Sequence, residues 1–299
     1  MPGCPACGRP AVALGPVSKL TGRRIGRCRS CRAHFWANAA AVARQQPVSE
    51  ELGAGSTADR YGEWVGIKRE QAGPEVWAET AAWLRRSVRV HGERRPVLYD
   101  VGAGDGQFLA LARDRFGFDV TGNDVVPGAV ALAQERYGVD LELGDLGGFG
   151  HRTDVDAVTL WCVLAHVDDG DALLRQVHDM LRPGGLLALQ TPHWTGVDAG
   201  AHVVQRVTRG RVTRLNDRRV GPQHHILHTA ASITAQLHRL GFTEVEVLPR
   251  GRYTLTAEAY LISMSVPRLL IRPAAWLFDH VAHSRLAPKI VLDVRARRR

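Results

Sequence analysis

From residue 96 onward, short apolar runs take turns with segments of helical period. Val97, Leu98 and Val101 make a run of strand length, and Phe108, Leu109, Leu111 and Ala112 then recur at helical spacing. Phe118 to Gly122 reads as a second strand. A second helix runs from Pro127 to Tyr137, with proline in the favourable first turn. Val139, Leu141 and Leu143 alternate as a third strand, and Asp156 to His166 supplies a fourth strand with the loop after it. Asp171 to Leu181 is amphipathic, with Leu173, Leu174, Val177 and Leu181 inward, until Pro183-Gly184-Gly185 stops it. Leu186 to Leu189 then form a buried fifth strand that ends at Thr191-Pro192-His193. Thr229 to Leu240 is a helix between an N-cap threonine and Gly241, followed by strands at Phe242–Leu248 and Ile290–Val294. Strands alternating with helices predict an α/β domain around a mostly parallel sheet.

The remainder is less regular. Val76, Trp77, Ala81, Trp83, Leu84 and Val88 predict a helix from Pro74 into the first strand. Residues 37–73 are weakly patterned, and Asp59 to Trp64 either covers a bound ligand or simply connects. Residues 196–228 read as an irregular Arg- and Gly-rich insertion, and 256–286 as an apolar, helical one. The chain thus divides into 1–36, a linker with a helix over 37–95, and a large domain over 96–299. The most apolar stretch, Ala259 to Phe278, is broken by Pro267, Arg268, Arg272 and Pro273, so no membrane span is expected. Without an apolar N-terminal signal region, the expected location is the cytoplasm.

Chemistry concentrates after the first strand. Gly102, Gly104 and Gly106 sit at alternate positions between strand and helix, where they let backbone approach a ligand closely. A dinucleotide-binding G-x-G-x-x-G needs glycine at 107, where this chain has Gln. The pattern is instead Asp100-x-Gly-x-Gly-x-Gly. Asp124 follows Asp100 by 24 residues, one βα turn, where an acid can accept both hydroxyls of a ribose. Asp145 follows the third strand. Taken singly, each acid can equally serve as a turn cap, a helix cap or a loop residue.

Asp100 with its glycine triplet, and Leu181-Arg182-Pro183-Gly184-Gly185-Leu186 followed by Thr191-Pro192, resemble class I S-adenosylmethionine-dependent methyltransferases. The resemblance implies a Rossmann-like seven-stranded sheet with helices on both faces. It implies S-adenosyl-L-methionine as cofactor, seated on Asp100, Gly102, Ala103, Gly104, Gly106, Gln107 and Phe108. Asp124 and Val125 would meet the ribose, Asp145 and Leu146 the adenine, and Trp161 would border the site. One departure matters. Many relatives read Glu-His after the fourth strand, and ubiquinone-pathway enzymes add an upstream acid associated with a divalent metal. Here those acid positions are Ala165 and Cys162, leaving only His166, a poor site for a hard cation, so catalytic magnesium is not expected. His166, His193 and His225 are the candidate bases for an oxygen acceptor, each with an ordinary structural role as the alternative.

The cysteines add a second centre. Cys4, Cys7, Cys28 and Cys31 read C-x2-C, twenty residues, C-x2-C, the spacing of a structural Zn2+ ribbon. Disulfide or redox pairing is the alternative, disfavoured in a reducing compartment. Some thirty residues hold little core, so the metal must organise them, with Phe35 and Trp36 packing on the ribbon or docking it. With the ribbon, His225-Ile226-Leu227-His228 and Gly241-Phe242 are similar to a bacterial subset that joins such a module to a methyltransferase domain.

The formal charge of +9 falls to +7 with four thiolates on zinc. Arg23, Arg24, Arg27, Arg29 and Arg32 surround the cysteines, and Arg295, Arg297, Arg298 and Arg299 are read as a solvated tail. The expected partner is therefore a small-molecule methyl acceptor: a sugar, a lipid-like molecule or a secondary metabolite. A ribosomal or transfer RNA methyltransferase gripping RNA with ribbon and arginines is the alternative, although no aromatic–basic stacking stripe is present. A non-catalytic cofactor-binding partner protein is a third reading. The apolar insertion is left as a substrate lid, a membrane-surface helix or a dimer contact.

Overall fold

A computed structural model of the chain describes residues 3–10, 12–17, 24–37, 74–90, 92–148, 153–212, 224–251, 258, 261, 267–282 and 289–299. The expected cover at Asp59–Trp64 lies outside the described residues.

The large domain is a seven-stranded sheet of β4 (Val97–Val101), β5 (Asp119–Asp124), β6 (Glu142–Leu143), β7 (Val155–Trp161), β8 (Leu181–Pro192), β10 (Phe242–Arg250) and β11 (Val291–Arg298). Their order is β10-β11-β8-β7-β4-β5-β6. Every neighbouring pair is parallel except those made by β11, which runs against both β8 and β10. The crossover helices are α2 (Gln107–Phe116), α3 (Pro127–Tyr137), α4 (Gly170–Met180) and α6 (Ala230–Arg239). The strand order reverses beside β4, so the loops after β4 and β7 open a crevice at the carboxyl edge, where doubly wound sheets take ligands.

Two apolar clusters sandwich the sheet. One joins Tyr99, Val158, Leu160 and Leu189 to Leu174 and Val177 of α4 and Ile233 and Leu237 of α6. The other joins Leu98, Ala157 and Leu186 to Phe108 and Leu109 of α2 and to α1 (Pro74–Ser87) through Ala81 and Leu84. The expected third strand shrinks to two residues, because Val139 packs in the helix layer with Ala133. Thr229 accepts from the Ser232 amide and Ser232 Oγ from the Thr229 amide, so α6 begins with a reciprocal capping box.

Two expectations are corrected. The terminal arginines are not a solvated tail, since β11 runs to Arg298. Arg295 lies 5.0 Å over the Trp83 ring and 3.0 Å from Glu79, and Arg297 pairs with Glu244 at 2.9 Å. A position between β10 and β8 gives these residues backbone partners, and their guanidiniums reach acids on α1 and β10. Residues 196–228 are also not irregular throughout: α5 (Gly196–Val207) and β9 (Ile226–Leu227) are regular. Asp198 reaches back to the Thr195 amide to start α5.

β9 belongs to a different sheet. At the N-terminus, β1 (Val12–Val17), β2 (Arg24–Cys28) and β3 (His34–Trp36) form an antiparallel ribbon, and β9 is its fourth strand, pairing His34 with Leu227 and Phe35 with Ile226. The ribbon is thereby built into the large domain. Thr229 Oγ1 donates to the Cys31 carbonyl at 2.7 Å, and Arg239 reaches both Asp171 and the Ala6 carbonyl. The His34 ring stacks on Trp194, their centroids 3.3 Å apart.

Candidate functional site

The glycine turn closes the carboxyl end of β4. Gly102, Gly104 and Gly106 have φ of +66°, +59° and +75°. A Cβ on Gly102 would stand 2.6 Å from Val163 Cγ2, on the loop after β7. The Gly102 backbone lies against the Val163 side chain, with no room for a side chain of its own. Gly106 caps α2 without a side-chain bond, Gln107 begins that helix, and Phe108 is buried beneath it.

Asp124 organises the turn. One carboxylate oxygen accepts from the Gly104 amide at 2.8 Å and the other from the Val126 amide at 2.9 Å. The Ala103 amide donates to the Asn123 carbonyl, so the β4 turn and the end of β5 form one unit. Val125, beside Asp124, is exposed. Asp100 is buried and accepts from Thr159 Oγ1 at 2.6 Å. Burial pushes its carboxyl up to about 8 and the nearby Asp124 charge adds to this, while the Thr159 bond pulls the other way. A buried acid in that state favours a cationic neighbour.

Asp145 stands exposed at the end of β6, accepting weakly from the Gly147 amide, and Leu146 turns into the core. Trp161, the last residue of β7, meets Phe108 edge-on at 5.0 Å. Trp77 of α1 completes this aromatic group, 6.0 Å from Trp161 and 6.1 Å from Phe108. Both indole N–H groups are buried without a hydrogen-bond partner among the described residues. The sequence marked Trp77 only as a helix-face residue. Nothing in its spacing shows that α1 brings it beside the glycine turn.

The three candidate histidines part company. His166 lies with its ring 4.7 Å from His224, a neighbour the sequence did not single out. His225 adjoins both through its backbone, donating to the Ala165 carbonyl at 2.7 Å, and its Nδ1 is 3.2 Å from Asp168. His193 instead stands at the end of β8, with Nδ1 bound to the Lys289 carbonyl.

At the ribbon, the sulfurs of Cys4, Cys7, Cys28 and Cys31 all lie within 4.8 Å of one another. The Cys4–Cys31 and Cys7–Cys28 separations are both 3.6 Å, far beyond the roughly 2.05 Å of a disulfide and suited to four thiolates around one ion. A hydrogen bond from Cys31 holds Cys4 down to about 5, while the same contact and burial push Cys31 up. A cavity of about 330 Å³ lies in the seam between ribbon and sheet, walled by Phe35, Trp36, Leu164, Val167 and His225.

A family model described as a methyltransferase domain matches residues 76–247. The demethylmenaquinone methyltransferase of Chlorobaculum tepidum is 30% identical over 121 residues, covering 39% of this chain and 48% of that protein. The trans-aconitate 2-methyltransferase of Mycobacterium tuberculosis is 36% identical over 105 residues, covering 35% and 40%. The chain therefore spans less than half the length of these curated relatives. A solved Haemonchus contortus phosphoethanolamine N-methyltransferase 2, in complex with phosphomonomethylethanolamine and S-adenosylhomocysteine, shares the fold. It has a TM-score of 0.59 at 16% identity, covering 85% of this chain and 61% of that one.

Proposed function

Since the chain belongs to the methyltransferase-domain family, we propose that it transfers a methyl group from S-adenosylmethionine to a small-molecule acceptor. The observation that carries this reading is the single unit made by the β4 glycine turn and Asp124, with buried Asp100 beneath it. The residues fit that cofactor, which has a cationic sulfonium and an amino group where a dinucleotide has phosphates. Asp100 is poised to ionise beside a cation, and the Gly102 turn leaves no side chain in the way. When bound, the cofactor supplies an electrophilic methyl group for direct transfer.

The chain's own contribution is placement and proton handling. Asp124 fixes the turn through two amides, and stands where a carboxylate can accept ribose hydroxyls. Asp145 stands exposed to meet the adenine edge, and Trp161 and Trp77, backed by buried Phe108, give the crevice an aromatic wall. Holding acceptor and methyl at near-attack distance supplies most of the rate in such a displacement. For a hydroxyl acceptor, His166, His193 or His225 takes the proton. His225 has the best support, because Asp168 orients its ring and would stabilise the imidazolium. Cys4, Cys7, Cys28 and Cys31 would hold a zinc ion with four sulfur ligands, a structural rather than a catalytic set.

The relatives named above act, by their names, on small molecules, which supports an acceptor of that class. The RNA alternative loses support, because Arg295 and Arg297 are committed to Glu79 and Glu244.

The test is calorimetric titration of the zinc-loaded protein with S-adenosylhomocysteine, with NAD as comparison and Gly102→Val as control. Saturable binding by the wild type, lost in the variant, is expected, and justifies an acceptor screen that starts with small molecules. A folded, zinc-loaded protein that binds NAD and not S-adenosylhomocysteine would overturn the reading.

A further inference from the structure

Two helices of this molecule face the wrong way for a solvated surface. α5 turns its polar residues inward: Asp198 and Gln205 are each 1% exposed. Its outer face carries Val197, Val203, Val204 and Val207, the last 77% exposed. The polar side is needed within, where His202 packs against the ribbon backbone at Gly15, so the valines are left outside.

The second helix, α7 (Arg268–Ala282), is rich in apolar residues, with Arg268, Arg272 and His280 exposed among them. Ala275 is buried on its inner side, while Leu269, Leu270, Trp276 and Leu277 stand outside, Leu269 92% and Trp276 64% exposed. At 100° per residue these four fall within one arc of the helix surface. A contiguous exposed apolar arc on a helix marks an interaction site with protein or lipid.

The topology sends both helices from one edge. Val291 pairs with Pro192 on one side and Arg250 on the other, so β8 and β10 end, and β11 begins, at the same level. The segment carrying α5 leaves β8 there, and the segment carrying α7 leaves β10 and returns to β11 there. This is also the edge that bears the glycine turn after β4. Arginines accompany both apolar faces: Arg206, Arg209 and Arg211 at the end of α5, and Arg268 and Arg272 on α7, all exposed. The chain as a whole carries +9.

We propose that this edge docks on an anionic lipid surface, with α5 and α7 lying in the interface and their arginines among the headgroups. Apolar faces flanked by cations match an interfacial helix. A second copy of the chain fits less well, since an antiparallel two-fold contact of α7 would set the Arg268 and Arg272 edges of both copies against each other. No helix among the described residues is long and apolar enough to cross a membrane, so the attachment is peripheral. The docking does not depend on the proposed reaction.

Flotation of the full, zinc-loaded chain with vesicles tests it, comparing pure phosphatidylcholine with vesicles rich in phosphatidylglycerol. The chain should float with the anionic vesicles only, and Trp276 should be quenched by lipids brominated on their acyl chains. Leu269→Glu with Trp276→Glu, and separately Val203→Glu with Val207→Glu, should each weaken binding at least about tenfold while leaving the melting temperature unchanged. Each Arg268→Gln or Arg272→Gln should cost about fivefold, and high salt should act in the same direction. Absence of flotation with anionic vesicles would overturn the proposal. So would flotation unaffected by either pair of glutamates, or a dimer in lipid-free solution that those glutamates dissociate.

Discussion

Replacing Asp124 by asparagine separates the work of its charge from that of its shape. The side chain is buried, and its two oxygens accept from the Gly104 and Val126 amides at 2.8 and 2.9 Å. A carboxylate serves both donors. A carboxamide serves one and sets its own NH2 against the other. A hydrogen bond to a charged group contributes about 1.5–3 kcal/mol, and a neutral one about 0.5–1.5. Losing one such bond and weakening the other should destabilise the ligand-free protein by about 2–3 kcal/mol. In a domain of this size that lowers the melting temperature by roughly 4–8 °C. The amide left without a partner is that of Gly104 or Val126, so the turn or the helix start after β5 must shift. S-adenosylhomocysteine affinity should therefore fall about tenfold to a hundredfold, or ~1.4–2.8 kcal/mol. Differential scanning calorimetry and isothermal titration on the same preparation read both numbers. A variant melting within about 1 °C of wild type and binding equally well would show that Asp124 does not hold the turn.

Four further outcomes follow from the geometry. Asp100 titrates near 8 in the fold against an ordinary 3.8, so its contribution to stability is complete below the lower value and lost as pH rises through the higher. Relative to Asp100→Asn, the ligand-free wild type should lose up to about 1.4 kcal/mol per pH unit across that window, and parallel melting profiles would refute it. His228 has the opposite sign: burial lowers it to about 3 from 6.5, so it stays neutral and its contribution is lost as pH falls below 6.5. His228→Asn should flatten the acid limb of the melting curve, and an unchanged limb between pH 6.5 and 4.5 would count against that burial. Cys28→Ser should remove zinc, measured by mass spectrometry, and lower the melting temperature of the whole chain, because the ribbon shares β9 with the large domain. Full zinc content would end the ribbon assignment. Arg94 forks onto buried Asp156 at 2.5 and 2.7 Å, so Arg94→Ala should cost about 3 kcal/mol by chemical denaturation, partly recovered by adding Asp156→Asn. No loss would mean that Arg182, 3.5 Å away, suffices alone.

What was legible in the sequence was what local physics controls. The helix over Pro127–Tyr137 falls where proline and the apolar period placed it, and Thr229 caps α6 as its chemistry demands. The four cysteines come together because each C-x2-C pair turns locally toward a single point. Contacts between distant segments were not legible. Arg295 and Arg297 look like a solvated tail until β11 is seen to lie beside β8, with Glu79 and Glu244 in reach. α5 was hidden because its valines and polar residues are inverted relative to an ordinary surface helix. Trp77 reaches the aromatic group only because α1 packs on α2. His224 was not singled out in the sequence, and only the fold of the loop sets it against His166.

The pairing of β3 with β9 also has a consequence for synthesis. His34 emerges from the ribosome long before its partner Leu227. The four thiols, all within the first 31 residues, can capture metal while most of the chain is still untranslated, but the ribbon sheet stays one strand short until β9 appears. Trp36 lacks its later cover meanwhile, since Leu227 and Trp194 pack against it. The nascent module is thus an unfinished edge, and its last strand joins an earlier-made and a later-made segment in one step.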